Sequence, residues 1–181
     1  MLPTLTTERR PLPVAPRPFE AEVLGSWIGR LAGRYRMSVR EFADRHELDL
    51  QIDGGAGWLV MPALQKRSVD ALAVLTRMSR KRITEIRAAP TETGRRNLFC
   101  YCARCVFLHP LDVTAPIWRR EWLDPNLSAC PTHGEDFRTL SSSRIRACRN
   151  FDQLLQLVSK HERKLRNETL WKPRSHGSLR G

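Results

Sequence analysis

Apolar residues recur at three- and four-residue steps in several stretches, the spacing that places them on one face of a helix. Val23, Leu24, Trp27, Ile28, Leu31 and Tyr35 form the first such series, which predicts a helix starting near Phe19 or Glu20. Arg36-Met37 then turns the chain, and Ser38 with Glu41 makes a capping box for a second short helix through Phe42, Ala43 and His46. The pattern repeats further on. Ser68 is expected to cap a helix with Val69, Leu72, Ala73 and Leu75 inward, Arg77-Met78 turns, and Ser79 caps a helix facing Ile83 and Ile86 inward. Arg36-Met37-Ser38 and Arg77-Met78-Ser79 thus occupy equivalent places in two helix–turn–helix pairs. After a turn at Ser141-Ser142-Ser143, Asn150 and Gln153 open a last amphipathic helix with Leu154, Leu155, Val158 and Leu165 on one side. Ahead of the first helix, Pro3, Pro11, Pro13, Pro16 and Pro18 keep residues 1–18 extended.

Two breaks in this pattern carry chemistry or its absence. The glycines of Asp53-Gly54-Gly55-Ala56-Gly57 form a loop without the Gly-Lys-Ser/Thr ending of a phosphate-binding loop. Cys102-Ala103-Arg104-Cys105, 24 residues, and then Cys130-Pro131-Thr132-His133 form the other. A two-residue spacer points paired side chains at one metal, and three thiolates with one imidazole suit Zn²⁺ in a closed tetrahedron with no position for substrate. The alternatives are buried thiols beside an exposed histidine, or a redox pair, although no βαβ pattern surrounds Cys102 and Cys105. Cys100 is expected to be a core thiol or a neighbour of the ligands, and Cys148 has no partner nearby. Trp118 and Trp122, four apart, are expected to pack as core beside the metal.

The expected fold is therefore mainly α, with helix-turn-helix-like hairpins packed on a zinc-knuckle, zinc-ribbon-like module. The chain divides into an extended arm (1–18), a helical module (19–95), a zinc module (96–140), a C-terminal helix (141–166) and a basic, disordered tail (167–181).

Charge sharpens the division. The net charge is +12, and residues 1–62 carry 8 basic and 8 acidic side chains. Residues 63–99 carry 9 against 3, residues 100–133 carry 3 of each, and residues 134–181 carry 11 against 5. A basic excess on both flanks of the cysteine segment favours a polyanionic partner, nucleic acid being the commonest, against the alternative of a solvated basic surface. Arg80, Lys81, Arg82 and Arg87 around the fourth helix are the candidate contacts. No apolar run approaches the roughly 20 residues of a membrane span, and Met1–Pro13 lacks the apolar core of a signal peptide. Cysteines at metal spacing then suggest a reducing cytoplasm, in association with the nucleoid.

Several of these residues resemble a known family. Glu22-Val23-Leu24-Gly25-Ser26-Trp27-Ile28-Gly29-Arg30-Leu31-Ala32 is similar to the opening of TniQ proteins, "E-S-L-x-S-W-L-x-R-L-A". Met37–Phe42 matches the segment that follows, and Phe99, Cys102, Cys105, Trp118, Arg119, Trp122, Cys130, Pro131, His133 and Gly134 resemble its cysteine knuckle. Ala103 stands where proline is usual, and Cys100 is additional. The resemblance covers about residues 11–140 and marks a short, single-module member. It implies a non-catalytic adaptor of DNA transposition target selection. Such an adaptor links DNA, or an RNA-guided CRISPR effector complex, to an AAA+ transposition ATPase (TnsC-like) and a transposase; a homodimer is also allowed. Pro11, Pro13, Pro16, Pro18 and Phe19 in the neutral arm are the candidate partner-docking residues. The second reading is a zinc-containing helix-turn-helix transcription regulator, and an enzyme using Cys102 or Cys105 is the third. No Walker A sequence or carboxylate cluster supports ATP hydrolysis, transposase or nuclease chemistry in this chain.

Overall fold

The computed structural model describes residues 9–52, 57–61, 64–86, 97–107 and 116–170. Among these the chain is mainly helical: α1 (Leu24–Arg34), α2 (Val39–Arg45), α3 (Lys66–Thr76), α4 (Arg80–Glu85), α5 (Ala103–Phe107), α6 (Ser142–Arg146) and α7 (Phe151–Leu170). Strands β1 (Leu98–Tyr101) and β2 (Arg138–Ser141) pair antiparallel, Leu98 opposite Ser141 and Tyr101 opposite Arg138. Short 3₁₀ turns occupy Gly57–Leu59 and Arg120–Leu123. The glycine loop at 53–56, Arg87 and residues 171–181 lie outside the described residues.

Both expected hairpins form, and by the same local device. Arg36 and Arg77 each adopt a left-handed backbone, at φ 56° and 54°. The amide that follows each then reaches back five residues, Met37 N–H to the Ala32 carbonyl at 2.9 Å and Met78 N–H to the Ala73 carbonyl at 3.2 Å. Ser38 and Ser79 cap the next helix, their hydroxyls accepting from the amides of Glu41 and Arg82. Glu41 also reaches back to the Ser38 amide, completing the box.

The first helix starts later than its periodicity suggests. Phe19 to Val23 are not helical, because their backbone groups pair elsewhere: Val23 N–H donates to the Trp118 carbonyl (3.0 Å) and Arg120 N–H to the Ala21 carbonyl (2.7 Å). Ser68 is likewise not a cap. Gln65 holds that position, while Ser68 sits buried within α3, its hydroxyl accepting from the Asp49 amide at 2.9 Å. The expected serine turn at 141–143 is instead the end of β2 and the start of α6. Asn150 does open α7, its Oδ1 accepting from Gln153 N–H, and α7 continues to Leu170, so that residues 167–170 are helical.

One hydrophobic cluster runs from Leu12 to Val158. α1 crosses its middle, with Trp27, Ile28 and Leu31 fully enclosed. Burial of each such side chain contributes roughly 2–3 kcal/mol. Two glycines let α1 lie this deep. A Cβ at Gly25 would fall within the carbonyl oxygens of Trp58 and Leu59, and one at Gly29 would come 2.6 Å from the Trp58 ring.

Candidate metal centre

Cys102 lies between the end of β1 and the start of α5, whose first turn closes when Val106 N–H donates to the Cys102 carbonyl. One turn of helix then brings Cys105 round to the same side. The second pair sits in a tight turn. Gly134 N–H donates to the Cys130 carbonyl and Cys130 N–H to the Glu135 carbonyl, both at 2.8 Å, while Gly134 takes the positive φ of 65° that the turn requires. Strand pairing of β1 with β2, and the bridge between Ala129 and Asp136, hold the two pairs together.

The four ligand atoms lie within 4.8 Å of one another. His133 Nδ1 is 3.5 Å from Cys102 Sγ, 3.3 Å from Cys105 Sγ and 3.7 Å from Cys130 Sγ, and the Cys105 and Cys130 sulfurs are 3.6 Å apart. A tetrahedral Zn²⁺ with Zn–S near 2.3 Å and Zn–N near 2.0 Å places sulfur and nitrogen about 3.5 Å apart and two sulfurs about 3.8 Å apart. The donor set therefore fits a four-coordinate metal. The cysteines form no disulfide, and all three ligand cysteines are buried.

Electrostatics point the same way. Burial pushes the Cys102 thiol up, and it raises Cys105 strongly, with the neighbouring cysteines adding to the shift. Burial would also raise Cys130, but the backbone amides of His133 and Thr132 overcome it and hold that thiol below its ordinary value. As thiolates, the three would need a cation to compensate them in this enclosure, and the donor set suits a divalent metal in that part.

The other expected contacts are spread over the surface. Lys81 is exposed, but Arg80 pairs with Asp70, and Arg82 with Glu85 at 3.5 Å. In the arm, Pro11 and Pro13 are exposed, whereas Pro16, Pro18 and Phe19 are half-buried. The arm is also tied down: Leu12 N–H donates to the Leu75 carbonyl, Trp27 Nε1 to the Pro16 carbonyl (2.8 Å), and Arg30 Nη2 to the Arg17 carbonyl (3.0 Å). Trp118 and Trp122 are core, their rings edge-on at 5.4 Å. Cys148 is buried and Cys100 partly so, packed against the core.

Two buried networks had no role in the sequence reading. The Glu22 carboxylate accepts from Ser26 Oγ (2.7 Å) and from Arg30 Nε and Nη2 (2.9 and 2.6 Å). Ser26 Oγ accepts in turn from Trp118 N–H. This two-pronged pair lies at one point where the arm, α1 and the cysteine-bearing segment meet. In the second, the Tyr101 hydroxyl lies 2.6 Å from Glu162 Oε1 and 2.8 Å from His161 Nδ1. The hydroxyl has one proton; donated to Glu162, it leaves the oxygen to accept from Nδ1–H of His161. The only sequence signal for the first was an acid, a serine and an arginine at four-residue steps, and for the second there was none.

The family model described as TniQ matches residues 13–136. No curated protein and no solved structure matches the chain.

Proposed function

The chain belongs to the TniQ family, and from that membership we propose how this member works as an adaptor. Members of the family are non-catalytic and act in transposition, so the chain is an adaptor and not an enzyme. In the proposed action it joins a target complex, either DNA itself or an RNA-guided effector bound to DNA, to an AAA+ ATPase and its transposase. One observation carries the reading. The residues shared with the family motif, Glu22, Ser26, Trp27, Arg30, Trp118 and Trp122, are internal ties of a scaffold and form no reaction centre. Such a protein acts through its outer faces.

Zn²⁺ is the proposed metal, held by Cys102, Cys105, Cys130 and His133, and its part is to fix those faces. Protein purified without added metal should contain one zinc per chain. Undiminished zinc in Cys105→Ala/Cys130→Ala protein would defeat the assignment.

Pro11, Pro13 and the exposed Val14 are the proposed docking face for the ATPase, because the other side of the arm is bonded to the body. A restrained proline segment loses little freedom on binding. Pull-down of the co-encoded ATPase by Pro11→Ala/Pro13→Ala/Val14→Ser protein should fall at least about tenfold, the equivalent of roughly 1.4 kcal/mol, with zinc content and helicity retained. Undiminished pull-down would remove the arm from the interface. A wild-type chain that retains no ATPase yet selects a DNA sequence alone would be a regulator of the helix-turn-helix kind.

A further inference from the structure

An open groove of about 570 Å³ lies between the arm, the end of α1 and the start of α7. Ligand clefts commonly measure about 300–1,000 Å³. Val14 and Pro16 line it from the arm, and Phe151 and Leu155 from α7, beside Pro116. Arg30, Gly33 and Arg34 line it from α1, where three- and four-residue steps put them on one face, and Arg36 from the turn that follows. Gly33 leaves room there for the Asp152 carboxylate: a Cβ would come 2.9 Å from Asp152 Oδ2.

The arm side of the groove is fixed. Val14 N–H donates to the Tyr35 hydroxyl (3.1 Å), which donates in turn to the Val14 carbonyl (2.7 Å). The Pro16 carbonyl accepts from Trp27 Nε1. With these backbone groups spent, an occupant does not add to the arm as a strand and is held by side chains.

Charge selects the occupant. Arg30 is spent on Glu22. Arg34 and Arg36 are exposed, and neither pairs with a carboxylate among the described residues. Asp152 is the one acid among the lining residues. The groove thus sets two uncompensated guanidinium groups beside an exposed Val14 and a half-buried Leu155. A duplex backbone is gripped by a series of cations, and a single strand by stacking on rings. Here an acid stands among the cations, and the ring of Phe151 is buried. A peptide carboxylate matches the paired N–H donors of a guanidinium, and an apolar side chain beside it matches the rest of the lining.

We infer that this groove docks an acidic peptide segment of a partner protein, with carboxylates on Arg34 and Arg36 and an apolar side chain against Val14 and Leu155. It shares only Val14 with the arm face proposed for the ATPase, and it does not depend on which protein carries the segment.

The probe is a fluorescently labelled peptide of glutamates with one leucine at its centre, titrated by anisotropy into the full-length protein. Arg34→Ala/Arg36→Ala should weaken binding at least about fivefold, and Asp152→Asn should tighten it about two- to threefold by removing a like charge. Lys81→Ala/Arg163→Ala removes the same charge at exposed positions outside the groove and should change binding less than about twofold. Serine in place of the peptide's leucine should weaken binding about threefold or more. Because Arg34 and Arg36 are exposed, helicity should be retained, and the peptide should shift the NMR signals of the Gly33, Arg34 and Leu155 amides. Equal weakening by the two double variants overturns the inference, as do shifts confined to other residues or no binding by the wild type. A loss of duplex-DNA binding in Arg34→Ala/Arg36→Ala larger than its loss of peptide binding also overturns it, and makes the groove a nucleic-acid site.

Discussion

The two hairpins share a local code and differ in what surrounds them. Each has a left-handed arginine, a methionine amide bonded back to the preceding helix and a serine cap. The first is embedded. α1 is buried over most of its length, from Leu24 to Ala32, Val39 N–H donates to the Arg149 carbonyl, and Asn150 Nδ2 donates to the Met37 carbonyl. The second lies at the margin, with Val74 of α3 45% exposed and α4 carrying ion-paired arginines. Aligned on their Arg-Met-Ser turns, Gly25 corresponds to Lys66, Gly33 to Val74 and Glu41 to Arg82. Where the first hairpin has glycine, a neighbour presses in; the second has a side chain facing solvent. The turn sequence thus specifies a hairpin, and the flanking positions decide whether it becomes core or surface.

Metal removal should break this comparison most severely. The β1–β2 segment reaches the start of the first hairpin directly, through the Val23–Trp118 and Ala21–Arg120 backbone bonds, and among the described residues it has no such bond to the second. Chelation of the proposed zinc should therefore speed amide exchange at Val23 and Arg120 at least about 100-fold, roughly 2.7 kcal/mol of local stability. Met78 and Ile83 should respond later. Equal, simultaneous loss of protection in both hairpins would show that the metal supports the whole core alike.

Steric substitution at equivalent helix positions should separate the hairpins next. Gly25→Ala drives a methyl into two backbone carbonyls and should cost about 3 kcal/mol or more in denaturant melts. Lys66→Ala, on an exposed position, should stay within about 0.5 kcal/mol.

These contrasts also mark what was legible in the sequence. The Arg-Met-Ser turns and the Cys/His spacing were readable because each acts within five residues of chain. The start of α1 was not, since its periodicity includes Val23 while the backbone there is claimed by Trp118, 95 positions on. Ser68 looked like a cap until Asp49 took its hydroxyl. Glu22 and Arg30 stood in plain view, but only the fold makes them a buried pair.

A smaller effect concerns the caps. Ser38→Ala should cost about 1–2 kcal/mol, because it breaks half of a capping box, and Ser79→Ala about 0.5–1 kcal/mol. Only the first should depend on pH through a carboxylate. The Ser38 backbone amide, helped by its hydroxyl and by Arg149, holds the Glu41 carboxyl below its ordinary value of 4.5. Its contribution is therefore complete above the unfolded-state value and is lost as pH falls through the lower folded-state one. The stability difference between wild type and Glu41→Gln should be constant near neutrality and shrink in acid.

The smallest expected effect tests the part that the hairpins share. Arg36 and Arg77 hold the left-handed conformation at almost the same φ, 56° and 54°. A residue with a Cβ is strained there by about 1–2 kcal/mol, and glycine removes that strain while losing about 0.5–1 kcal/mol of backbone freedom on folding. Arg36→Gly and Arg77→Gly should therefore each stabilise the protein by about 0.5–1 kcal/mol, despite the different surroundings of the two turns. Arg77 also accepts a bond from Arg17 Nη1, but through its backbone carbonyl, which glycine retains. The turns lie on separate hairpins, so the double variant should gain close to the sum, read as a shift in the denaturant midpoint at constant slope. A gain at Arg77 with a loss at Arg36 would mean that the Arg36 side chain makes contacts in the embedded hairpin that outweigh its strain. The two turns would then be equivalent in sequence and backbone only.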